Sequence, residues 1–528
     1  MSASTQPANS APAPRPVAVP GKPYLQVENK GLLTLAIMGA AMIQILDSTI
    51  ANVAIPHMQT SLGATQDTVM WVLTSYIVAG AVVMPITGWL ADRIGSRKLF
   101  IWSTIGFIIT SMLCGISVNL TEMVIFRVLQ GVCAAFIAPL SQSILLDINP
   151  PERAPKAMAM WGMGVMVAPI FGPMIGGWLT ESYNWRWVFY INLPIGIPTV
   201  LILIWLLPSR PINKRYFDGL GFASLAIGVA TLQLMLDRGQ HEDWLQSWEI
   251  RIEMLVAIAA IWIFFVHQAT TKKPMFDPEL VTDRNFATAL VFMVMIGVMM
   301  YGVFALLPPM LQSLFGYTVF DTGMLLAPRG IGILAAMQIA TRLAGKVDAR
   351  YTVGFGFAIT IISLWQMTQW SLGMDWHPVL YTGLLQGFGM GFIFIPMNSL
   401  AFATLSMHHR TDGSSLLYLV RSIGSSIGIS IMSTMFARNL QTSHSDLATH
   451  ITSSSMSAVD PSTIDRFQVI GDVVMAMMNA EVTRQAAMIA YLDNFQFMML
   501  LLIVFMPLIL LMKPPKGPPG QMPHPVGE

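Results

Sequence analysis

Charge is the scarcest property of this chain. Only 11% of its 528 residues are Asp, Glu, Lys or Arg, where a soluble domain carries about 25%. That shortage excludes a water-soluble globular protein. A net charge of +1 with no basic run gives no footprint for nucleic acid. Cysteine is almost missing as well. Cys114 and Cys133 stand alone in separate apolar segments, which fits small packing residues and neither a disulfide framework nor a metal site. The chain has no HExxH, no Walker A and no Ser/His/Asp grouping, and its nine histidines fall in loops, tails or near helix ends. No catalytic residue, metal or cofactor is therefore expected. No cleavable signal peptide is visible, and residues 1–28 are rich in Ala, Pro and Ser, the composition of a disordered tail.

What is present is apolar sequence in long runs. Mean hydropathy is +0.61, and runs near 20 residues recur along the whole chain, each able to span a bilayer. Strands of a β-barrel would instead alternate over about 10 residues. The expectation is an all-α polytopic membrane protein with fourteen spans: 32–54, 68–90, 99–118, 122–146, 156–179, 187–207, 218–236, 250–268, 287–311, 322–344, 352–371, 378–403, 411–437 and 492–512. Loop charge tests this count. With a cytoplasmic N-terminus, twenty of the 29 basic residues fall inside and six outside, and three, Arg127, Arg329 and Arg421, fall within helices. That asymmetry is the positive-inside pattern, and it puts both termini in the cytoplasm.

The chain also repeats itself. LADRIGSR at Leu90–Arg97 recurs as LAGKVDAR at Leu343–Arg350, an offset of 253. Leu129-Gln130-Gly131 recurs as Leu385-Gln386-Gly387, an offset of 256. Two matches at nearly one offset imply two parallel halves. The offset exceeds what six helices need by about the length of two further helices. The expected organisation is a tail at 1–31, a six-helix bundle at 32–207, two inserted helices at 208–286, a second bundle at 287–512 with an external loop at 438–491, and a tail at 513–528.

Asp47 is the carboxylate placed in the interior of a span, within LDSTIANVAIP. A charge in hydrocarbon costs roughly 2.5 to 3.5 kcal/mol even on the lenient scale. Such a residue persists where it faces a protein-lined cavity and acts there. Taking up and releasing a proton is the reading preferred for it; a purely structural ion pair is the alternative. Arg127 keeps its charge at ordinary pH, so its part is electrostatic unless it snorkels to the outer interface.

Taken together, these motifs resemble those of the major facilitator superfamily, and within it the EmrB/QacA-type fourteen-helix drug–proton antiporters, most closely the EmrB branch. The resemblance runs from about Leu32 to Pro515. It rests on LDSTIANVAIP, GWLADRIGSRK (Gly88–Lys98), RVLQG (Arg127–Gly131), GPMIGG (Gly172–Gly177), WRWVFYINLPIG (Trp185–Gly196) and LQLMLDRG (Leu232–Gly239). It implies a major facilitator fold of two six-helix bundles plus two inserted helices. It also implies proton-coupled export of hydrophobic small molecules across a bacterial inner membrane, driven by the proton gradient, with a periplasmic adaptor and an outer-membrane channel as partners. Asp47 and Arg127 are then the proton-coupling residues. Asp92, with Gly88, Arg93 and Arg97, forms an inner gate. Gly172, Pro173, Gly176 and Gly177 seal the outer route or simply pack.

Asn52, Tyr76, Gln130, Gln142, Gln386, Asn398, Tyr418 and Arg421 are the candidate substrate contacts, though Asn52 and Gln130 also suit helix packing. One acid against three arginines in the spans favours neutral or anionic amphiphiles. Arg329 is not expected from the family and is read as snorkelling outward. Forty methionines suit a cavity that re-packs around different shapes, although lipid-facing filler accounts for many. The external segment has helical periodicity over Asp465–Tyr491. It is expected to dock the adaptor or to lie on the carrier's own outer face. Competing readings are a transporter of one metabolite, fatty acid or siderophore, and a transporter-like receptor.

Overall fold

The computed structural model describes residues 25–150, 153–210, 212, 215–240, 242–343, 346–405, 409–450 and 468–511. Its main elements are α1 (Lys30–Ser61), α2 (Trp71–Ile94, with a 3-10 turn at Met84–Ile86), α3 (Ser96–Ile116), α4 (Leu120–Asp147), α5 (Ala154–Ser182), α6 (Trp187–Leu206), α7 (Gly219–Arg238) and α8 (Trp248–Thr270). They continue with α9 (Arg284–Phe315), α10 (Val319–Leu343), α11 (Ala349–Met367), α12 (His377–Ala403), α13 (Arg410–Thr449) and α14 (Gln468–Phe505). Twelve helices among the described residues are long and apolar enough to cross a membrane; α5 and α11 fall outside that set.

Local chemistry sets the ends. Asn29, Asn119, Asp218, Asp283 and Asp348 accept hydrogen bonds from the first free N–H groups of α1, α4, α7, α9 and α11, the partners those orphan donors need. Gly95, at φ 92°, makes the reversal between α2 and α3. Side chains then sort by depth. Buried Leu, Ile, Phe and Met fill the bundle, while Trp205, Trp262, Phe265 and Ile258 stay on the outside, where lipid replaces water.

Helices α1 to α6 pack on one another, as do α9 to α14. The sets meet where α5 lies on α10 and α12 and where α4 lies on α13. Helices α7 and α8 pair together, and α7 touches both sets: Asp237 accepts from Thr74 of α2, and Gln233 donates to Ser426 of α13. Small residues allow the closest approach. Gly424 and Gly428 of α13 sit directly on the α9 backbone at Val294 and Val298.

Three expectations change. The described residues of 438–491 form no separate surface helix. Helix α13 runs on to Thr449 and α14 begins at Gln468, and the two are bridged by His444 to Asn479 at 3.0 Å and Asn439 to Asp493 at 3.2 Å. The apolar periodicity read there belongs to the start of the last long helix. Asp47 is not the sole buried helical carboxylate, since Asp147 and Asp412 are also buried at helix ends. Arg329 does not snorkel; it is 3% exposed. The tails 1–24 and 512–528, and residues 451–467, lie outside the described residues.

Gly424→Leu should overpack the α9–α13 seam, which costs about 1–3 kcal/mol. Gly354→Leu, whose added carbon meets nothing, should be neutral. Thermal unfolding of both purified variants checks this, and equal midpoints would contradict the packing.

Candidate functional site

Helix α1 carries Asp47 into a space closed by α2, α4 and α6. The carboxylate is fully buried, as are Arg127, Gln130 and Asn192. Arg127 Nη1 donates to Asp47 Oδ2 at 2.6 Å. Gln130 Nε2 and Asn192 Nδ2 each donate to Asp47 Oδ1 at 2.9 Å. One i, i+3 step on α4 brings Arg127 and Gln130 to the same face, and Arg127 Nη1 also donates to Gln130 Oε1 at 2.8 Å. The guanidinium is held from two further sides: its Nε donates to the Val72 carbonyl at 2.9 Å, and its carbon stands 4.2 Å from the Tyr76 ring centre. Tyr76 in turn donates to the Gln44 carbonyl, and Asn192 is oriented by Ser111 Oγ at 2.9 Å.

This arrangement has a definite chemistry. An ionised carboxylate only accepts, and here it meets three donors. A proton on Asp47 would turn one of its oxygens into a donor and remove the attraction to Arg127.

A second polar cluster lies at the end of the bundle where α2 and α4 finish and α13 begins. Arg215, in the chain between α6 and α7, donates to both oxygens of Asp412 at 2.6 and 2.8 Å and stands 3.6 Å from Asp92. Arg210, in the same segment, pairs with Asp147, which Arg410 also reaches at 3.3 Å. Burial first, and then the neighbouring Arg410, push the Arg210 guanidinium down to about 10. Gly88 lies directly under Asp412, where a larger residue would collide with it. Next to this end, Asp277 and Glu279 stand 3.8 and 3.5 Å from His409.

The expected site residues distribute as follows. Asp47, Arg127, Gln130 and Tyr76 form one site. Asn52 does not join it; its exposed side chain donates to the Ser48 carbonyl of its own helix. Gln142 and Asn398 bond each other across the two helix sets at 2.9 Å. Tyr418 meets Trp161 edge-on and lies 4.3 Å from the Arg421 guanidinium carbon. Gln386 lies beside Arg329. Asp92 reaches the second set through Arg215, but Arg93 stacks on Trp89 and Arg97 donates to the Ile204 carbonyl at 2.6 Å, both within the first set. Gly172 and Gly176 seat α5 on Thr49 and Ile50 of α1, and Gly177 seats it on Val319 of α10; Pro173 lies inside α5 between them. Sequence reading missed Asn192 and Ser111. The motif WRWVFYINLPIG contained Asn192, but an amide in a span carries no sign of its partner. It also missed Asp412, and Arg210 and Arg215 ranked as ordinary inside charges.

A fully buried ion pair thus lies between long apolar helices. The family profile described as Major Facilitator Superfamily matches residues 37–429, and the chain belongs to that superfamily; it is a multi-pass membrane transporter and not an enzyme. It is 36% identical to the multidrug export protein EmrB of Escherichia coli strain K12 over 93% of this chain and 96% of that one. It is also 36% identical to the fatty acid resistance protein FarB of Neisseria gonorrhoeae, over 92% and 95%. Among solved structures, the human organic anion transporter MFSD10 superposes with a TM-score of 0.57 at 14% identity, covering 90% of this chain and 99% of that one. That likeness shows the shared fold.

Asp47→Asn should strand the buried Arg127 charge and destabilise the protein by about 3–5 kcal/mol. The pair Asp47→Asn with Arg127→Gln should recover much of that loss. Thermal unfolding of the singles and the double measures the coupling; additive losses would contradict the ion pair.

Proposed function

We propose that this protein is a proton-driven exporter of hydrophobic small molecules, working in a bacterial inner membrane with both termini in the cytoplasm. The observation that carries this reading is the fully buried Asp47–Arg127 pair with its Gln130 and Asn192 donors. It is a titratable group inside the helix set, and protonation changes its contacts. The similarity to EmrB and FarB supports export and an amphiphilic cargo. The twenty-to-six division of basic residues supports the orientation.

In this reading all fourteen helices cross the membrane. Residues 32–207 and 287–512 are the two rocking bundles, and 208–286 is the inserted pair. The proton enters from outside and binds Asp47, the ion pair loosens, and the carrier opens inward. Release to the cytoplasm restores the pair. Each proton brings about 2.3 kcal/mol per 100 mV and roughly 1.4 kcal/mol per pH unit. The Asp92–Arg215–Asp412 and Arg210–Asp147–Arg410 groups hold the cytoplasmic end shut meanwhile, with Gly88 giving them room. Gly172, Pro173, Gly176 and Gly177 keep α5 tight on α1 and α10 against a leak. Gln142, Asn398, Tyr418 and Arg421 face the cargo between the bundles. The α13–α14 extension docks a periplasmic adaptor, which passes cargo to an outer-membrane channel.

Everted membrane vesicles test the coupling. With a pH gradient established, a hydrophobic weak acid such as nalidixic acid should discharge it through the native carrier and leave it intact with Asp47→Asn. Equal discharge in both would overturn the assignment of Asp47. The gate is tested separately with Asn398→Cys in a background lacking Cys114 and Cys133. Arg215→Ala should raise maleimide labelling of that cysteine from the cytoplasmic face several-fold, and unchanged labelling would remove Arg215 from the gate.

A further inference from the structure

The second helix set carries a copy of the Asp47 framework with different chemistry in it. The 253-residue offset takes Tyr76 to Arg329, and the 256-residue offset takes Gln130 to Gln386 and Arg127 to Gly383. Packing repeats with the sequence: Gly131 sits against the backbone carbonyl of Tyr76, and Gly387 sits against that of Arg329. Asp47 is 17 residues into Lys30–Ser61, and Met300 is 16 residues into Arg284–Phe315. One framework thus holds an acid, an arginine and a glutamine. Its copy holds methionine at the depth of the acid, with the arginine moved to the neighbouring helix.

In the copy these groups surround a cavity. Met299, Met300 and Met390 form much of its wall, with Arg329, Gln386 and Thr360 as its polar members. Arg329 and Gln386 are 3% and 4% exposed. Gln386 Oε1 is buried without a hydrogen-bond partner among the described residues. An apolar packing gap, too small for water, shares Ile333 and Met390 with this cavity and is lined further by Ile296, Met337, Ile393 and Phe394. Phe394 stacks on Trp161 of α5, with ring centres 6.3 Å apart. A polar end therefore leads along apolar walls to the seam between the helix sets.

We propose that this site binds an amphiphile with a carboxylate head, the head on Arg329 and Gln386 and the alkyl chain along Ile333 and Met390 toward Phe394. The proposal rests on the exporter reading and names its cargo class. A guanidinium presents paired N–H groups that match a carboxylate, and the Gln386 amide adds a further donor. The apolar extension selects a chain over a small anion. The polar cavity has room for about one water molecule. Ligand entry therefore requires the methionine walls to move, which flexible thioethers allow. A cationic head would meet Arg329 with like charge.

The test uses the full-length carrier in nanodiscs of zwitterionic lipid, with radiolabelled dodecanoate as the probe and dodecan-1-ol and dodecyltrimethylammonium as competitors. Native protein should bind dodecanoate, and the ammonium should compete poorly. Arg329→Gln should weaken dodecanoate roughly tenfold or more, the loss of a charge-assisted contact, and Arg329→Lys should fall between the two, keeping the charge but losing the paired N–H groups. Dodecanol binding should not change with either. Met300→Asp places a carboxylate where the framework first had one, so it should also weaken dodecanoate; it decides the matter if Arg329→Gln does not fold. Native-like dodecanoate binding in a folded Arg329→Gln or in Met300→Asp overturns the proposal, as does equal binding of the acid and the ammonium. Intact, Arg329-dependent binding by a carrier that exports nothing would overturn the exporter reading while leaving this site in place.

Discussion

The structure depends on one contact, Arg127 to Asp47 at 2.6 Å. Neither residue is tolerable alone at that depth, because removing one partner leaves an uncompensated buried charge. Together, with Gln130 and Asn192 completing the acceptor set, they form a neutral unit that ties α1, α4 and α6 into one body. The same neutrality makes the unit sensitive. In the proposed cycle a single proton changes its charge and its hydrogen-bond count together, and the packed helices answer by shifting between discrete arrangements.

The two ends of this machine use different means. At the end read as cytoplasmic, charge does the holding: Arg215 and Arg210 lie in the segment joining α6 to α7, and each meets acids at helix ends, Arg215 those of both sets. The covalent link to the inserted helices is thus part of the closure. Toward the other end, shape does the holding, with glycines of α5 against α1 and α10. Asp147 and Asp412 are buried in the ion pairs, so parting them in the proposed cycle requires water to meet each charge. Close backbone packing suits a seal. Between them, the two helix sets have diverged from one framework. One set keeps an acid beside its arginine, and the other has an arginine beside methionines.

Much of this was legible in the sequence because bilayer physics is simple. Apolar length gave the helices, and the offset repeat gave the pairing of Gln130 with Gln386. Asp47 and Arg127 stood out because charge inside a span is costly. What stayed hidden was partner choice. Asn192 is one amide in an aromatic-rich motif, and nothing in one dimension points it at Asp47. Arg215 reads as an ordinary inside charge, and Arg93 and Arg97, its neighbours in that class, turned out to serve their own bundle. The extension of α13 and α14 past the spans was obscured because polar helix and loop share composition. Arg329 was misjudged because depth along a helix does not reveal which face is lined by protein.

The central claim is that the proton and the substrate communicate through Asp47. The most direct measurement is proton release from the purified carrier in weakly buffered detergent when a hydrophobic weak acid or dodecanol is added, read with a pH indicator. The account predicts release in proportion to substrate bound for the native protein, and none for Asp47→Asn at the same occupancy. Equal release from both proteins would contradict it and send the proton by another route.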